Sequence, residues 1–163
     1  MTVAGLFLGH IDAINAVIES FIEDNNVKLA WFNFKVSTVL SYIFNIIMAL
    51  IIFLKRKDLA EAFSEDDVVI DLVVDVLPII ALTYLSIFSS VNACILALDL
   101  QNKAAFAAFS IHYLFSLPLA IFLGFGYELG IKGFWIGNCG GSFVVAIAYF
   151  IIILTADWQR IAD

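Results

Sequence analysis

Apolar residues in this chain come in long blocks separated by short polar ones, and the blocks have the length of helices that cross a bilayer. Residues 36–54 (VSTVLSYIFNIIMALIIFL) carry no charge over 19 positions. Wound as a helix they reach ~28 Å, close to the hydrocarbon thickness. Trp31 and Lys35 precede this block and Lys55-Arg56-Lys57 follow it, residue types that anchor span ends at the interface. The next block, 76–98, follows a connector (59–71) holding Glu61, Glu65, Asp66, Asp67 and Asp71. Residues 104–126 follow the tight polar turn Asp99-Leu100-Gln101-Asn102-Lys103, and residues 134–154 follow the turn Gly130-Ile131-Lys132-Gly133. The pattern predicts an all-α integral membrane protein with four transmembrane helices, at about 36–54, 76–98, 104–126 and 134–154. Residues 2–26 differ, because Asp12, Glu19, Glu23 and Asp24 interrupt them. Ile11, Ile14, Ile18, Phe21 and Ile22 recur there at helical spacing. This predicts an amphipathic or half-buried helix, or the end of a span, with Glu23-Asp24-Asn25-Asn26 as its polar stop.

Within the blocks, a few residues stand out. Thr83, Ser86, Ser90, Ala93 and Ala97 fall at steps of three or four. In lipid such a small, polar stripe either packs against another helix or lines a cavity. Pro78 lies in the first turns of its span, where proline is tolerated, whereas Pro118 sits mid-span and is expected to kink its helix. His112 is the ionisable group within the depth of the third span, with Ser116 one turn on. It reads either as a functional group or as a neutral imidazole bonded to a neighbouring helix. Gly133, Gly137 and Gly141 repeat the spacing that lets two helix backbones approach closely, and are the expected packing face of the fourth span. Ser64-Glu65-Asp66-Asp67 resembles a helix N-terminus, where carboxylates suit the dipole; a cation-attracting mouth is the other reading.

Composition strengthens the membrane assignment. Of 163 residues, 63% are hydrophobic and 14% charged, with mean hydropathy +1.04; a soluble fold needs more polar surface than this. The formal net charge of -7 gives nucleic acid no basic patch to bind. Cys94 and Cys139 lie singly inside apolar blocks, form no CxxC, and read as buried small hydrophobes. Four spans put Lys28, Lys35, Lys103 and Arg160 on one side and Lys55, Arg56, Lys57 and Lys132 on the other, so the count of basic residues does not orient the chain. No GxSxG, HExxH or Cys/His/Asp set is present, and the glycine repeat lacks the GKS/T of a phosphate loop. No catalytic residue, metal site or cofactor is expected.

Several short motifs then combine. Leu77-Pro78-Ile79, Gln101-Asn102-Lys103-Ala104-Ala105, Tyr113-x-x-x-x-Pro118-Leu119, Gly124-Phe125, Gly130-x-x-Gly133-Phe134-Trp135-x-Gly137 and Thr155-x-Asp157-Trp158 occur in this order. In order and spacing they resemble the last three helices of eukaryotic members of the multidrug and toxin extrusion (MATE) family. The stretch from Val17 to Asn26 resembles that family's loop before its ninth helix. The resemblance implies a secondary transporter of twelve helices in two six-helix lobes around a central cavity. Such proteins export organic cations and other metabolites in exchange for protons or sodium ions. Residues 1–163 would be part of the C-terminal lobe, helices nine to twelve, with 1–35 an incomplete helix and cytosolic loop. Both that segment and the tail would face the cytosol.

On this reading the chain is a fragment, or the product of a truncated gene, of an antiporter. Its partners are the lipid bilayer, a small organic substrate and a H+ or Na+ counter-ion. Alternating access needs two lobes, so the chain alone is not expected to transport without the missing helices. Ser86, Ser90, His112 and Tyr113 are the candidate cavity-facing groups of the substrate or ion path; an imidazole exchanges protons in the physiological range. The sequence departs from the family at Ile87-Phe88-Ser89, where an acidic residue is usual, and at His112-Tyr113, where paired tyrosines are usual. It departs again at Val17, Glu19 and Glu23, which stand for an arginine and two glycines. The alternative is a small structural or accessory membrane protein packing through its GxxxG face. A lipid-linked oligosaccharide flippase would need cavity arginines, and an intramembrane enzyme would need a constellation that is absent.

Overall fold

The computed structural model describes residues 3–86 and 89–162, with side chains from 12 to 86 and from 90 to 162. The described residues fold as helices joined by short turns: α1 (Val3–Glu23), α2 (Val27–Leu54), α3 (Arg56–Glu61), α4 (Asp67–Tyr84), α5 (Ser89–Ala97), α6 (Gln101–Ile111), α7 (Leu117–Ile121), α8 (Ile131–Thr155) and α9 (Trp158–Ala162). Two π-helical turns, His112–Ser116 and Phe122–Gly126, flank α7 and make one continuous rod from Gln101 to Gly126. Among the described residues, three helices are long and apolar enough to cross a membrane: Val27–Leu54, Gln101–Gly126 and Ile131–Thr155. The protein is therefore an all-helical integral membrane protein.

The expected second span, 76–98, is not one helix. The chain runs as α4 to Tyr84 and resumes as α5 at Ser89, and residues 87 and 88 lie outside those described. The last turn of α4 carries two hydroxyl-to-carbonyl bonds and a tightened backbone. Thr83 Oγ1 donates to the Ile79 carbonyl at 3.0 Å, and Ser86 Oγ donates to the Thr83 carbonyl at 2.7 Å. The Leu85 and Ser86 amides bond three residues back, to Leu82 and Thr83, so the last turn tightens. The first span also starts earlier than its apolar block, at Val27 rather than 36. Lys28 and Lys35 lie within this helix and do not interrupt it.

Polar turns end the helices by identifiable means. Asn25 takes φ 54°, the left-handed conformation asparagine tolerates, and the Asn26 amide reaches back to the Phe21 carbonyl at 2.8 Å. Asn26 Oδ1 then accepts the Leu29 amide at the start of α2. Asp99 closes α5 in the same way, at φ 53°, with the Leu100 amide bonded to the Ile95 carbonyl. Asp66 caps α4 by accepting the Val68 amide at 2.9 Å. Beyond α2, Lys55 and Asp58 pair at 2.8 Å on the surface; their hydrogen bond raises the pKa of the ammonium and lowers that of the carboxyl.

The chain forms two compact units, interleaved along the sequence. The first comprises residues 1–43, 88–107 and 146–163. Here α1 packs on α5, and Ile14, Ile18 and Ile22 present one face of α1 to a core of Val91, Cys94, Ile95 and Leu98. Ala30 and Phe34 of α2, with Ile153 and Trp158, complete that core. Trp158 stacks on Trp31 with centroids 4.4 Å apart and donates its indole N–H to the Ile153 carbonyl at 3.0 Å. The second unit comprises residues 44–87 and 108–145. Its centre is the hairpin of the rod's second half and the first part of α8. Ser116, Ala120 and Gly124 on one side meet Gly141, Gly137 and Gly133 on the other, in antiparallel order. A Cβ at Gly133 would stand 2.5 Å from the Gly124 nitrogen, and one at Gly137 2.5 Å from the Ala120 nitrogen. Only glycine permits that approach. In the same unit α3 packs on α4, and Lys132 Nζ pairs with Asp75 Oδ2 at 2.6 Å.

Candidate functional site

The site begins with a proline. Pro118 has no amide hydrogen to donate back along its helix, and its ring crowds the carbonyl four residues earlier. The preceding turn, His112–Ser116, is wound as π-helix, and the Leu117 amide reaches five residues back to the His112 carbonyl. Such widened turns recur at functional sites because they locally uncouple side chains from helical register. This one carries His112, Tyr113 and Ser116. Tyr113 stacks on Phe109 with centroids 4.3 Å apart. Ser116 is buried and donates to the Gly137 carbonyl at 3.1 Å, tying the π turn to α8.

Between these helices lies a recess of about 370 Å³, lined by His112, Tyr113, Ser116, Leu117, Ala120, Phe134 and Asn138. No lining residue carries a permanent charge. Among the described residues neither the His112 imidazole nor the Asn138 amide has a hydrogen-bond partner. Phe134 closes one end, its ring against Gly124 and edge-on to Phe125 at 5.4 Å. No group of three or more His, Cys, Asp or Glu side chains able to hold a metal occurs among the described residues.

The sequence-derived candidates divide here. His112 and Tyr113 line one recess. Ser86 and Ser90 belong to different units. Ser86 turns its hydroxyl onto the Thr83 carbonyl, and Ser90 is fully buried and donates to Thr38 Oγ1 at 3.1 Å. Gly133, Gly137 and Gly141 face the preceding helix of the same chain, and Pro118 lies in the first turn of α7 between the two π turns. Of the residues departing from the MATE pattern, Ile87 and Phe88 lie outside the described residues. Asn138 and Phe134 also line the recess, although periodicity along the chain does not single them out. Asn138 carried a readable signal, since an amide inside an apolar span must face a partner, water or a cavity.

The MatE family model matches residues 1–125. The chain belongs to the MatE family. Protein DETOXIFICATION 37 of Arabidopsis thaliana is 25% identical over 155 residues, which are 94% of this chain and 31% of that protein. The uncharacterized transporter YDR338C of Saccharomyces cerevisiae is 27% identical over 148 residues, 88% of this chain and 21% of that protein. The crystal structure of the eukaryotic MATE transporter AtDTX14 superposes with a TM-score of 0.79 at 24% identity, covering 97% of this chain and 38% of the transporter. The MatE chain thus spans about a third or less of the length of the curated relatives it matches, and shares its fold with part of a transporter.

Proposed function

We propose that this chain supplies helices nine to twelve of a MATE-type antiporter, within the C-terminal lobe, and that the recess around His112 is one wall of the path for a small organic cation or metabolite. One observation carries the reading: His112 and Asn138 sit at membrane depth in a shaped recess without partners. Polar groups so placed are costly against lipid, and a hydrated transport cavity relieves that cost. His112 exchanges the coupling proton or responds to it, Tyr113 and Phe134 offer aromatic faces to the substrate, and Asn138 orients it. Ser86 and Ser90 stay candidates for the path, but their hydroxyls already bond within the chain, so the leading part goes to His112 and Tyr113. The four-span reading, with α4 and α5 together crossing once, and cytosolic placement of both ends belong to the same proposal.

The rival reading, an accessory protein associating through its GxxxG face, loses its basis in the hairpin. That face is filled by Ser116, Ala120 and Gly124 of the same chain.

Two measurements test the proposal. The chain alone, reconstituted in vesicles, is expected to give no efflux of an organic cation above empty vesicles; robust efflux overturns the part of the reading that requires a second lobe. In a full-length transporter containing this segment, His112→Gln is expected to flatten or displace the pH dependence of efflux. An unchanged pH profile removes His112 from the mechanism.

A further inference from the structure

The first unit has a recess of its own. It has a volume of about 220 Å³ and is lined by Asn92, Ile95 and Leu96 of α5, Gln101, Ala104 and Ala105 of α6, and Tyr149 of α8. Three hydrogen-bonding side chains converge on a small, otherwise aliphatic space. Gln101 Nε2 is engaged by Asp99 Oδ1 at 2.7 Å. Among the described residues, the Asn92 amide and the Tyr149 hydroxyl have no partner. An amide and a phenol each both donate and accept, so together they suit a hydroxyl group.

Depth narrows the ligand. Gln101 is the first residue of α6, directly after the polar turn at Asp99. Tyr149 lies six positions before the end of α8 at Thr155, a rise of ~9 Å along the helix. Asn92 lies seven positions before the turn residue Asp99, a rise of ~10 Å, so the two groups without partners share a level just inside the boundary between headgroups and hydrocarbon, with Ile95, Leu96 and Gln101 on its headgroup side. Charge narrows it further. None of the seven lining residues is charged, so a phosphate head would find no cationic donor and would be desolvated without compensation. Ala104 and Ala105 keep the space open where larger residues would fill it.

We propose that this recess binds the head of an uncharged, hydroxyl-bearing membrane lipid of the sterol or diacylglycerol type, with Asn92 and Tyr149 holding the hydroxyl and Ala104 and Ala105 leaving room for the head. The test uses the 163-residue chain in detergent–lipid micelles with photoactivatable sterol and diacylglycerol probes, and maps the labelled residues by mass spectrometry. Saturable labelling within 92–105 and near Tyr149 is expected, and competition between the two unlabelled lipids tells which supplies the hydroxyl. Tyr149→Phe, which removes only the oxygen, should weaken apparent affinity by about fivefold to tenfold, the worth of one hydrogen bond. Ala105→Leu should abolish labelling by filling the space, and Asn92→Leu gives an independent reading should that variant fold poorly, with helix content followed by circular dichroism. Three results overturn the proposal: labelling spread evenly over exposed positions of α2 such as Val39 and Ile43, labelling indifferent to Tyr149→Phe and Asn92→Leu, or equal competition by an anionic phospholipid.

Discussion

At the scale of single residues, the most constrained positions are those with no side chain. A Cβ at Gly137 would meet backbone and Cβ atoms of Ala120 at 2.5–2.6 Å, and backbone cannot swing aside as a flexible side chain does. Gly137→Leu is therefore expected to destabilise the chain by more than ~3 kcal/mol, above the usual range for overpacking, measured by SDS titration in mixed micelles. Gly140 is the control. A Cβ there meets only Leu119 Cδ2, at 3.6 Å, so Gly140→Ala should cost no stability and gain up to ~1 kcal/mol from the helix propensity of alanine. A large loss at Gly140, or none at Gly137, would contradict the packing described. Asn138 and His112 are constrained in the opposite sense: they have space and no partner, which is the arrangement of a binding surface rather than of a packed core.

At the scale of elements, the rod from Gln101 to Gly126 changes winding twice within its length, while α8 opposite it is regular throughout. The first change has a cause in Pro118, whose missing amide leaves the turn before it without a normal α-helical bond. Pro118→Ala restores a donor at that position. Amide hydrogen exchange between 112 and 122 is then expected to slow by about tenfold, as one additional bond is formed and local opening becomes rarer. Unchanged exchange would mean that the π turn is imposed by packing on α8 and not by the proline. The break after Tyr84 has a different form. After Tyr84 the Leu85 and Ser86 amides bond three residues back, to Leu82 and Thr83, and α4 ends in this tightened turn.

At the scale of the molecule, long-range order comes mostly from apolar and small-residue packing, with charges placed at the margins. The pair Lys132–Asp75 joins α8 to α4 within the second unit, yet both side chains are about half exposed. A double-mutant cycle of Lys132→Ala and Asp75→Ala should return a coupling below ~1 kcal/mol, reduced further by salt. A coupling of several kcal/mol would identify a desolvated strut instead. Its position is informative even if its energy is small. Lys132 stands at the start of α8, so its partner Asp75 marks the same level on α4. The two turns of α4 before it, with Asp67 and Asp71, are then placed toward the aqueous side, consistent with an apolar stretch beginning at Val76.

Membrane residence, helical class, the approximate bounds of three spans and the family were legible in the sequence. Each follows from a local property: a bilayer demands about 20 apolar residues per helix, and ordered short motifs survive when overall identity is low. The turn chemistry at Asn25, Asp66 and Asp99 is equally local: residues 23–26 read as a polar stop, 64–67 as a helix start and 99–103 as a tight polar turn. What surrounds a residue across helices could not be read this way. The glycine repeat 133–137–141 announced close packing but not its partner, because Ser116, Ala120 and Gly124 are a modest small-residue series until the hairpin folds them opposite. The hydroxyl stripe Thr83–Ser86–Ser90 suggests either packing or a cavity; bonds from Ser86 to Thr83 and from Ser90 to Thr38 occupy hydroxyls that the sequence leaves free to face either way. The recess joining His112 to Asn138, 26 positions apart (138 minus 112), exists only because one helix is widened before a proline and the next is stripped of side chains where they touch. Periodicity records which face of a helix is apolar. Which empty volume lies between two faces is a property of their packing, and only the tertiary structure decides it.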